Sequence, residues 1–426
     1  MSHVKILNLL CIATFLSCGA FPPINLFRPS DRPLMPEPVL GDWSSQTSVA
    51  YEGIFQVRAF RDTGDESQIN LCDKIDEEKK SNVLQIYQRD QNGLAALKGF
   101  ESETRPGLLS QLFAFNDENG EQGFFRLCGT LKIPLNFMLS QRFYFTHGLS
   151  LAFHLPVYSM ELNNVVWRSL NPEVTGEQDL EKDLIGQIRH IAGLKLNGWK
   201  RTGIGDFVAQ MTWMRDFPQA KPLLQNVRVQ ARLGLICPTG TLQDEDQLFA
   251  FPFGNDGAWG VQFAGGLDLT FGYTLRGGID AEFVHLFGNN RCRRVKTACN
   301  QTDFLFLKKV PTYREFGLGQ QYNLYIESYQ CWRGLSLKLN YQFLKRNEDR
   351  LDLMSDSLNS RLANGAESLQ DWTAHSCIAM VRYDMWKELP ETSCIKPSLR
   401  GWVKWGFNGK RAILVNSVGV QLDVSF

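Results

Sequence analysis

The chain has 426 residues, 45 basic and 45 acidic side chains, and 29 Phe, 11 Tyr and 10 Trp. Zero formal charge excludes the net basic field that draws nucleic acid, and a slightly negative mean hydropathy excludes a polytopic helical membrane protein. The length suits roughly two or three soluble domains or one large barrel, and abundant aromatics suit a barrel with interfacial girdles.

Lys5 precedes the apolar run 6–16, and Cys18-Gly19-Ala20 supplies small residues for cleavage. Residues 1–20 therefore read as a secretory signal peptide. Acylation of Cys18 is the competing reading, which Phe15-Leu16-Ser17 disfavours. Nothing after residue 20 approaches the ~18–20 consecutive apolar residues of a spanning helix, so any membrane insertion is by strands. Residues 21–46 carry Pro22, Pro23, Pro29, Pro33, Pro36 and Pro38 and read as an extended periplasmic segment. Alternation begins at 47–60, where Val49, Tyr51, Phe55 and Val57 share a face opposite Glu52, Gln56 and Arg58.

Residues 61–121 are irregular and read as one long loop, with 82–88 a candidate short strand and 108–115 a short apolar piece. From Gly123, Phe125, Leu127, Leu131 and Ile133 oppose Arg126, Thr130 and Lys132. A turn is expected at Pro134-Leu135-Asn136, followed by a strand to about Leu155 whose apolar face is broken by His147. The 158–203 excursion holds Leu180, Leu184, Ile188 and Ile191 at helical spacing, which predicts an amphipathic helix over 178–194. Further alternating runs lie at 206–217, 227–235, 259–273, 279–283, 316–326, 335–343, 373–384 and 399–407. Tight turns are expected at Arg276-Gly277 and at Asn408-Gly409, the latter a preferred hairpin pair. The chain closes on Val418, Val420, Leu422, Val424 and Phe426, alternating with Gly419, Gln421, Asp423 and Ser425.

Taking 61–121 as a single loop leaves twelve strands, or fourteen if 82–88 pairs. Long connections (61–121, 158–205, 237–257, 288–312, 347–370) alternate with shorter ones, and only the 408–410 hairpin breaks the rhythm. Long loops on one side and short turns on the other are the rule for outer-membrane barrels. The expectation is an all-β, closed antiparallel transmembrane barrel over 47–426, with a short amphipathic helix in one loop.

Two stretches carry a resemblance. The terminal strand, with Val420, Leu422, Val424 and the final Phe426, resembles the C-terminal signal strand of Gram-negative outer-membrane barrels, which implies recognition by the barrel assembly machinery. Thr202-Gly203-Ile204-Gly205-Asp206 opening a strand, with Pro238-Thr239-Gly240 ending the strand after next, resembles the outer-membrane channels of the phenol meta-degradation family, relatives in shape of the long-chain fatty-acid transporters. That resemblance implies passive passage of small solutes, hydrophobic ones included, through a barrel in outer-membrane lipid. A structural or adhesive barrel with ligand-binding outer loops is the alternative.

With the apolar face outward, the lumen would receive Arg126, Lys132, Arg142, Arg228, Arg232, Lys338 and Lys404 together with Asp268, Asp280 and Glu282. Opposed charges there polarise a water column or pair and close it. No catalytic set is expected, because His147 and Ser150 point to opposite faces of a strand. The glycines of the Gly203–Asp206 motif read as a tight turn into a strand, since no helix or lysine follows as a phosphate loop needs. Cys292 and Cys299 are a candidate loop disulfide, and no metal site or cofactor is expected.

Overall fold

The computed structural model describes residues 45–62, 82–114, 123–170, 178–272, 274–354, 358–388 and 395–426. The expected signal peptide, nearly all of 21–46 and part of the 61–121 loop lie outside these residues. The strands are β1 (Ser45–Phe60), β2 (Asp90–Asn92), β3 (Phe124–Tyr144), β4 (Leu149–Ser169), β5 (Trp199–Ile204) and β6 (Phe207–Pro218). They continue as β7 (Leu224–Cys237), β8 (Gly260–Phe271), β9 (Leu275–Leu286), β10 (Asn289–Val295), β11 (Lys308–Glu315) and β12 (Gly319–Trp332). The last are β13 (Leu335–Arg346), β14 (Arg350–Leu353), β15 (Trp372–Tyr383), β16 (Lys396–Lys410) and β17 (Ala412–Ser425).

Twelve of them close an antiparallel ring in the order β3-β1-β17-β16-β15-β13-β12-β9-β8-β7-β6-β4, with β4 returning to β3. β2 and β5 flank this ring, and β10, β11 and β14 form a separate small sheet. Long connections collect at one end, called the outer end below. Of the short turns between ring strands, the one-residue reversal at Arg411 lies at the outer end. The others, Ser45 and Phe426 lie at the inner end.

The polarity of the wall is inverted relative to a soluble protein. On β17, Val418, Val420 and Leu422 are exposed, whereas Gln421 and Asp423 between and beside them are buried. The same holds on β12 and β13, where Leu324, Ile326, Leu337 and Leu339 face out and Asn323, Asn340 and Gln342 face in. Period-two alternation puts one face of every strand on each side of the wall, and apolar-out, polar-in is the transmembrane-barrel arrangement. An aromatic girdle runs over six consecutive strands: Phe263, Phe283, Tyr322, Phe343, His375 and Phe407 touch in sequence, with ring centroids 4.8–6.1 Å apart at the last three contacts. His375 keeps its place in this girdle through a 2.7 Å hydrogen bond between Nδ1 and the Tyr341 hydroxyl.

Several expected turns move while the ring still counts twelve strands. Pro134 does not end a strand; it sits at a register break in β3 between Lys132 and Leu135, where a missing N–H costs no ladder bond. The turn comes instead at Thr146–Gly148, with His147 at φ 61° and Gly148 at φ 77°, so His147 interrupts the apolar face because it is the turn. Arg276 and Gly277 lie inside β9, which follows a turn at Gly272. Asn408-Gly409 stays in β16, and Arg411 at φ 47° makes the reversal into β17. The segment 82–88 is a 3-10 turn, Val83–Gln85, joined to β3 by one bridge, Asn82↔Thr130. The predicted helix is present as Gln178–Ala192, with Leu184 and Ile188 fully buried against Phe125, Leu196 and Leu305 in the outer-end loops.

Candidate functional site: the barrel interior and its plug

The interior divides into two storeys. Towards the inner end it is polar, lined by Gln46, Glu52, Asn136, Arg142, Gln210, Gln230 and Gln421, all buried. Towards the outer end it is apolar. Leu127, Leu131 and Ile133 of β3 and Tyr158, Met160 and Leu162 of β4 turn inward and pack on the segment 248–253, whose Leu248, Phe249, Phe251 and Phe253 are buried. This reverses the expected assignment of β3. Above Pro134 the β3–β4 hairpin covers a loop core, so its apolar face is the inner one. Lys132 is consequently exposed, and Arg126 is half-buried and paired with Asp90 of β2 at 2.9 Å. Neither lines the polar storey.

The 248–253 segment is a plug held by β5. The Trp199 indole donates to the Leu248 carbonyl at 2.8 Å, Arg201 donates to the Phe251 carbonyl at 3.0 Å, and Leu248 N–H donates to the Lys195 carbonyl at 2.9 Å. β5 and β6 run on along β4 as one interrupted strand, from Leu162↔Trp199 to Leu149↔Trp213, broken only at Gly205 and Asp206. That break is a latch. Asp206 Oδ1 accepts from Gly240 N–H at 3.0 Å, and Oδ2 accepts from both the backbone and the side-chain N–H of Asn255, the latter at 3.0 Å. Thr239 Oγ1 accepts from Phe207 N–H at 2.9 Å and donates to the Gly205 carbonyl at 3.1 Å. The glycines are required by contact. A Cβ on Gly203 would lie 2.0 Å from Thr241 Oγ1, and one on Gly205 would lie 2.6 Å from the Phe253 carbonyl. The Gly203–Asp206 and Pro238–Gly240 motifs thus meet in space and fix both ends of the plug segment.

A second element fills the outer storey. β1 pairs with β3 only over Ser45–Tyr51, and β16 pairs with β17 only over Lys396–Lys404, yet β1 and β17 stay paired up to Phe60↔Ala412. Both faces of this ribbon are buried. Val57, Ala59, Ile413 and Val415 pack on the plug cluster, whereas Phe60, Ala412 and Leu414 pack on Leu344 and Ala374 of β13 and β15. The ribbon therefore lies inside the wall. The edges it leaves are met by side chains. Asn82 donates to Leu127 O at 3.0 Å and accepts from Gly129 N–H at 3.0 Å, as a strand neighbour would. Asn416 Oδ1 accepts from Gly406 N–H at 3.0 Å, and Arg58 donates to Gly406 O.

The remaining expected lumen residues lie on the inner face of the wall. Arg232 reaches across β8 to Asp280 at 2.8 Å and Glu282 at 3.4 Å, and all three are buried. Arg228 pairs with Asp216 at 2.8 Å. Asp268 accepts from the Tyr325 hydroxyl, whose ring crosses β9 at Gly278, and Lys338 lies 4.0 Å from the centroid of that ring. Arg142 and Lys404 are buried. The partners of Arg228, Arg232 and Lys338 sit on neighbouring or next-neighbouring strands.

A Ser140–His154 pair, 2.8 Å from Oγ to Nδ1 across β3 and β4, was not expected from sequence because the misplaced turn hid its register. His154 is 1% exposed, and its Nε2 has no hydrogen-bond partner among the described residues. A triad needs an orienting acid on that nitrogen. Cys292 lies on β10 and Cys299 in the loop beyond; both are exposed free thiols, so the expected clip is absent from this structure. Among the described residues no group of His, Cys, Asp and Glu could hold a metal ion.

No family model matches the chain, and no curated protein matches it. Among solved structures it is similar to an outer-membrane channel from Pseudomonas putida F1, at 12% identity over 94% of this chain and 100% of that one, with a TM-score of 0.49. It is also similar to the Ralstonia pickettii toluene transporter TbuX, at 11% identity over 70% and 68% of the two chains, TM-score 0.30. A FadL homologue from Pseudomonas aeruginosa matches at 8% identity over 90% of each chain, TM-score 0.29. Such distances carry no functional argument; the barrel stands on this chain's own strand pairing.

Proposed function

We propose that the chain is an outer-membrane channel or transporter passing small solutes, hydrophobic ones included, and that the arrangement described is its closed state. The supporting observation is the plug. The outer storey is filled by a loop segment held through a carboxylate latch, packed against the inturned β1–β17 ribbon, and the polar storey beneath is lined largely by buried amides and charged side chains. Inward polar groups of this kind replace part of a solute's hydration. No energy source is needed for passage once the plug moves, which makes the mode passive. Export by the 1–20 segment and insertion through the terminal strand complete the outer-membrane placement.

A planar bilayer containing refolded protein tests this. Infrequent conductance steps are expected from the native chain, and frequent ones when the latch is removed. A membrane that stays sealed at every voltage with both forms defeats the reading. The buried, locally paired Arg232–Asp280–Glu282 group favours a second reading, a structural or adhesive barrel with a permanently closed interior, and that reading predicts the sealed result.

A further inference from the structure

At the inner end, the turn between β12 and β13 and the turn after β15 are tied together. The Gly334 carbonyl accepts from the Asp384 N–H at 3.1 Å, and the Lys387 ammonium donates to Gln330 Oε1. Arg333 adopts φ 40° and Gly334 φ 88°, and a Cβ on Gly334 would lie 3.3 Å from Lys387 Cδ. The tie therefore brings Lys387 against the residue that follows Arg333, and both cations are exposed.

The basic side chains of these turns lie over indoles. Arg333 stands 5.9 Å from the centroid of the Trp332 ring, and Lys387 stands 5.7 Å from that of Trp386. Lys396, at the foot of β16, approaches the Trp386 ring at 5.1 Å. Neither Arg333 nor Lys387 has an ion pair among the described residues. Asp384 is buried and taken by Arg382 at 2.9 Å, and Glu388 accepts from the Tyr383 hydroxyl. With Lys396 set against Glu388, the charges of Arg333 and Lys387 remain.

The flank of this basic patch is apolar. Trp332 is 68% exposed and pairs with Leu335, so it shares a face with the exposed Leu337 and Leu339. Tryptophan and basic side chains at the edge of an apolar band sit at headgroup depth, with the ring against hydrocarbon and the cation at phosphate. A soluble anion would use the cations alone, whereas a lipid uses both the cations and the flank.

We infer that these two turns bind an anionic phospholipid of the inner leaflet, its phosphate on Arg333 and Lys387 and its acyl chains along Leu335, Leu337 and Leu339. The inference rests on the barrel and not on the channel reading.

Lipid retained by the purified full chain from micelles holding equal amounts of phosphatidylglycerol and phosphatidylcholine, quantified by mass spectrometry, tests it. A basic side chain near an anionic lipid contributes about fivefold, so two predict a preference of about 25-fold for phosphatidylglycerol. Arg333→Gln combined with Lys387→Gln should bring the ratio to about one, in protein that keeps the heat-modifiable gel mobility of a folded barrel. Arg333→Lys combined with Lys387→Arg should keep the preference. Lys200→Gln, at an exposed cation far from these turns in the outer half of the wall, should leave it unchanged. Where the double Gln variant does not fold, the native chain serves. Raising salt from about 0.1 M to about 1 M shortens the screening length from about 10 Å to about 3 Å and should erase the preference. Equal retention of the two lipids by the native chain, a preference that survives high salt or the folded double Gln variant, or one that Lys200→Gln also removes would each overturn the assignment. So would displacement of phosphatidylglycerol by soluble glycerol phosphate, which marks a site for free anions.

Discussion

Replacing Asp206 by Ala should open the barrel. The carboxylate is 4% exposed and holds Gly240 and Asn255, which flank the plug segment, through three N–H donors. Its loss leaves two part-buried backbone N–H groups without that acceptor, at about 1–3 kcal/mol each. The two Asn255 donors share one oxygen and do not count as independent, so we take about 3 kcal/mol for the latch as a whole. At about 1.4 kcal/mol per factor of ten, that moves the closed-to-open ratio by about 150-fold. The readout is the fraction of time spent conducting in a planar bilayer, for protein whose folding is verified by heat-modifiable electrophoresis. Gly254→Ala attacks the same contact from the other side, since its Cβ would fall 2.3 Å from the Asp206 carboxyl carbon. It should reproduce the effect without touching the charge. Folded Asp206→Ala and Gly254→Ala barrels that record like the native protein would refute the latch as a gate.

Four further outcomes follow from the same contacts. Arg232→Met removes the buried guanidinium shared by Asp280 and Glu282, 3% and 0% exposed, and should cost about 3–5 kcal/mol in urea unfolding from lipid; a loss below about 1 kcal/mol would mean the group is solvated. Asn82→Ala removes the side-chain hydrogen bonds to the Leu127 carbonyl and the Gly129 N–H of β3 and should cost about 2 kcal/mol, with faster hydrogen exchange confined to that edge. Burial pushes Asp256 up to about 8, so its contribution is full below the usual carboxyl range, near pH 4, and is lost as pH rises through 8; exchange at 241–257 should quicken over that interval, and Asp256→Asn should flatten the change. Cys292 and Cys299 should both react with maleimide in the folded protein without reductant, and dithiothreitol should leave thermal stability unchanged.

The ring was legible because period-two alternation is a direct readout of a wall with two faces; eleven of the twelve expected runs fall within single ring strands, and the run ending at Leu155 straddles the turn between β3 and β4. Turns were less legible where residue type misled. Pro134 advertises a turn but is absorbed by a bulge, and Asn408-Gly409 advertises a hairpin but pairs with Ala374 and His375. In the site, Arg142, Arg232, Asp268, Asp280, Glu282 and Lys404 could be placed on the inner face by parity alone. Arg126 and Lys132 could not, because alternation says which residues share a face and not which face points inward; above Pro134 the loops supply a second apolar environment inside the wall. The glycines of the Gly203–Asp206 motif were visible in sequence, but their partners at Thr241 and Phe253 are some forty to fifty residues away and only folding brings them together.

The terminal strand shows how far a local pattern reaches. Its lower half, 418–426, alternates strictly and seals the ring against β1 and β16, as the sequence implies. Its upper half, Ala412-Ile413-Leu414-Val415, is apolar without alternation and is buried on both faces, the signature of a strand enclosed on both sides. A barrel that turns one ribbon inward exposes strand edges, and unpaired backbone groups cost several kcal/mol each where lipid replaces water. The chain meets that cost with single side chains set opposite the vacated positions: Asn82 on β3, and Asn416 with Arg58 on β16. Each supplies hydrogen bonds that a neighbouring strand would have made, at one residue's length. The unalternating start of β17 and these three polar side chains are therefore one device, which meets backbone groups of Leu127, Gly129 and Gly406 at the vacated edges while the ribbon helps to fill the mouth.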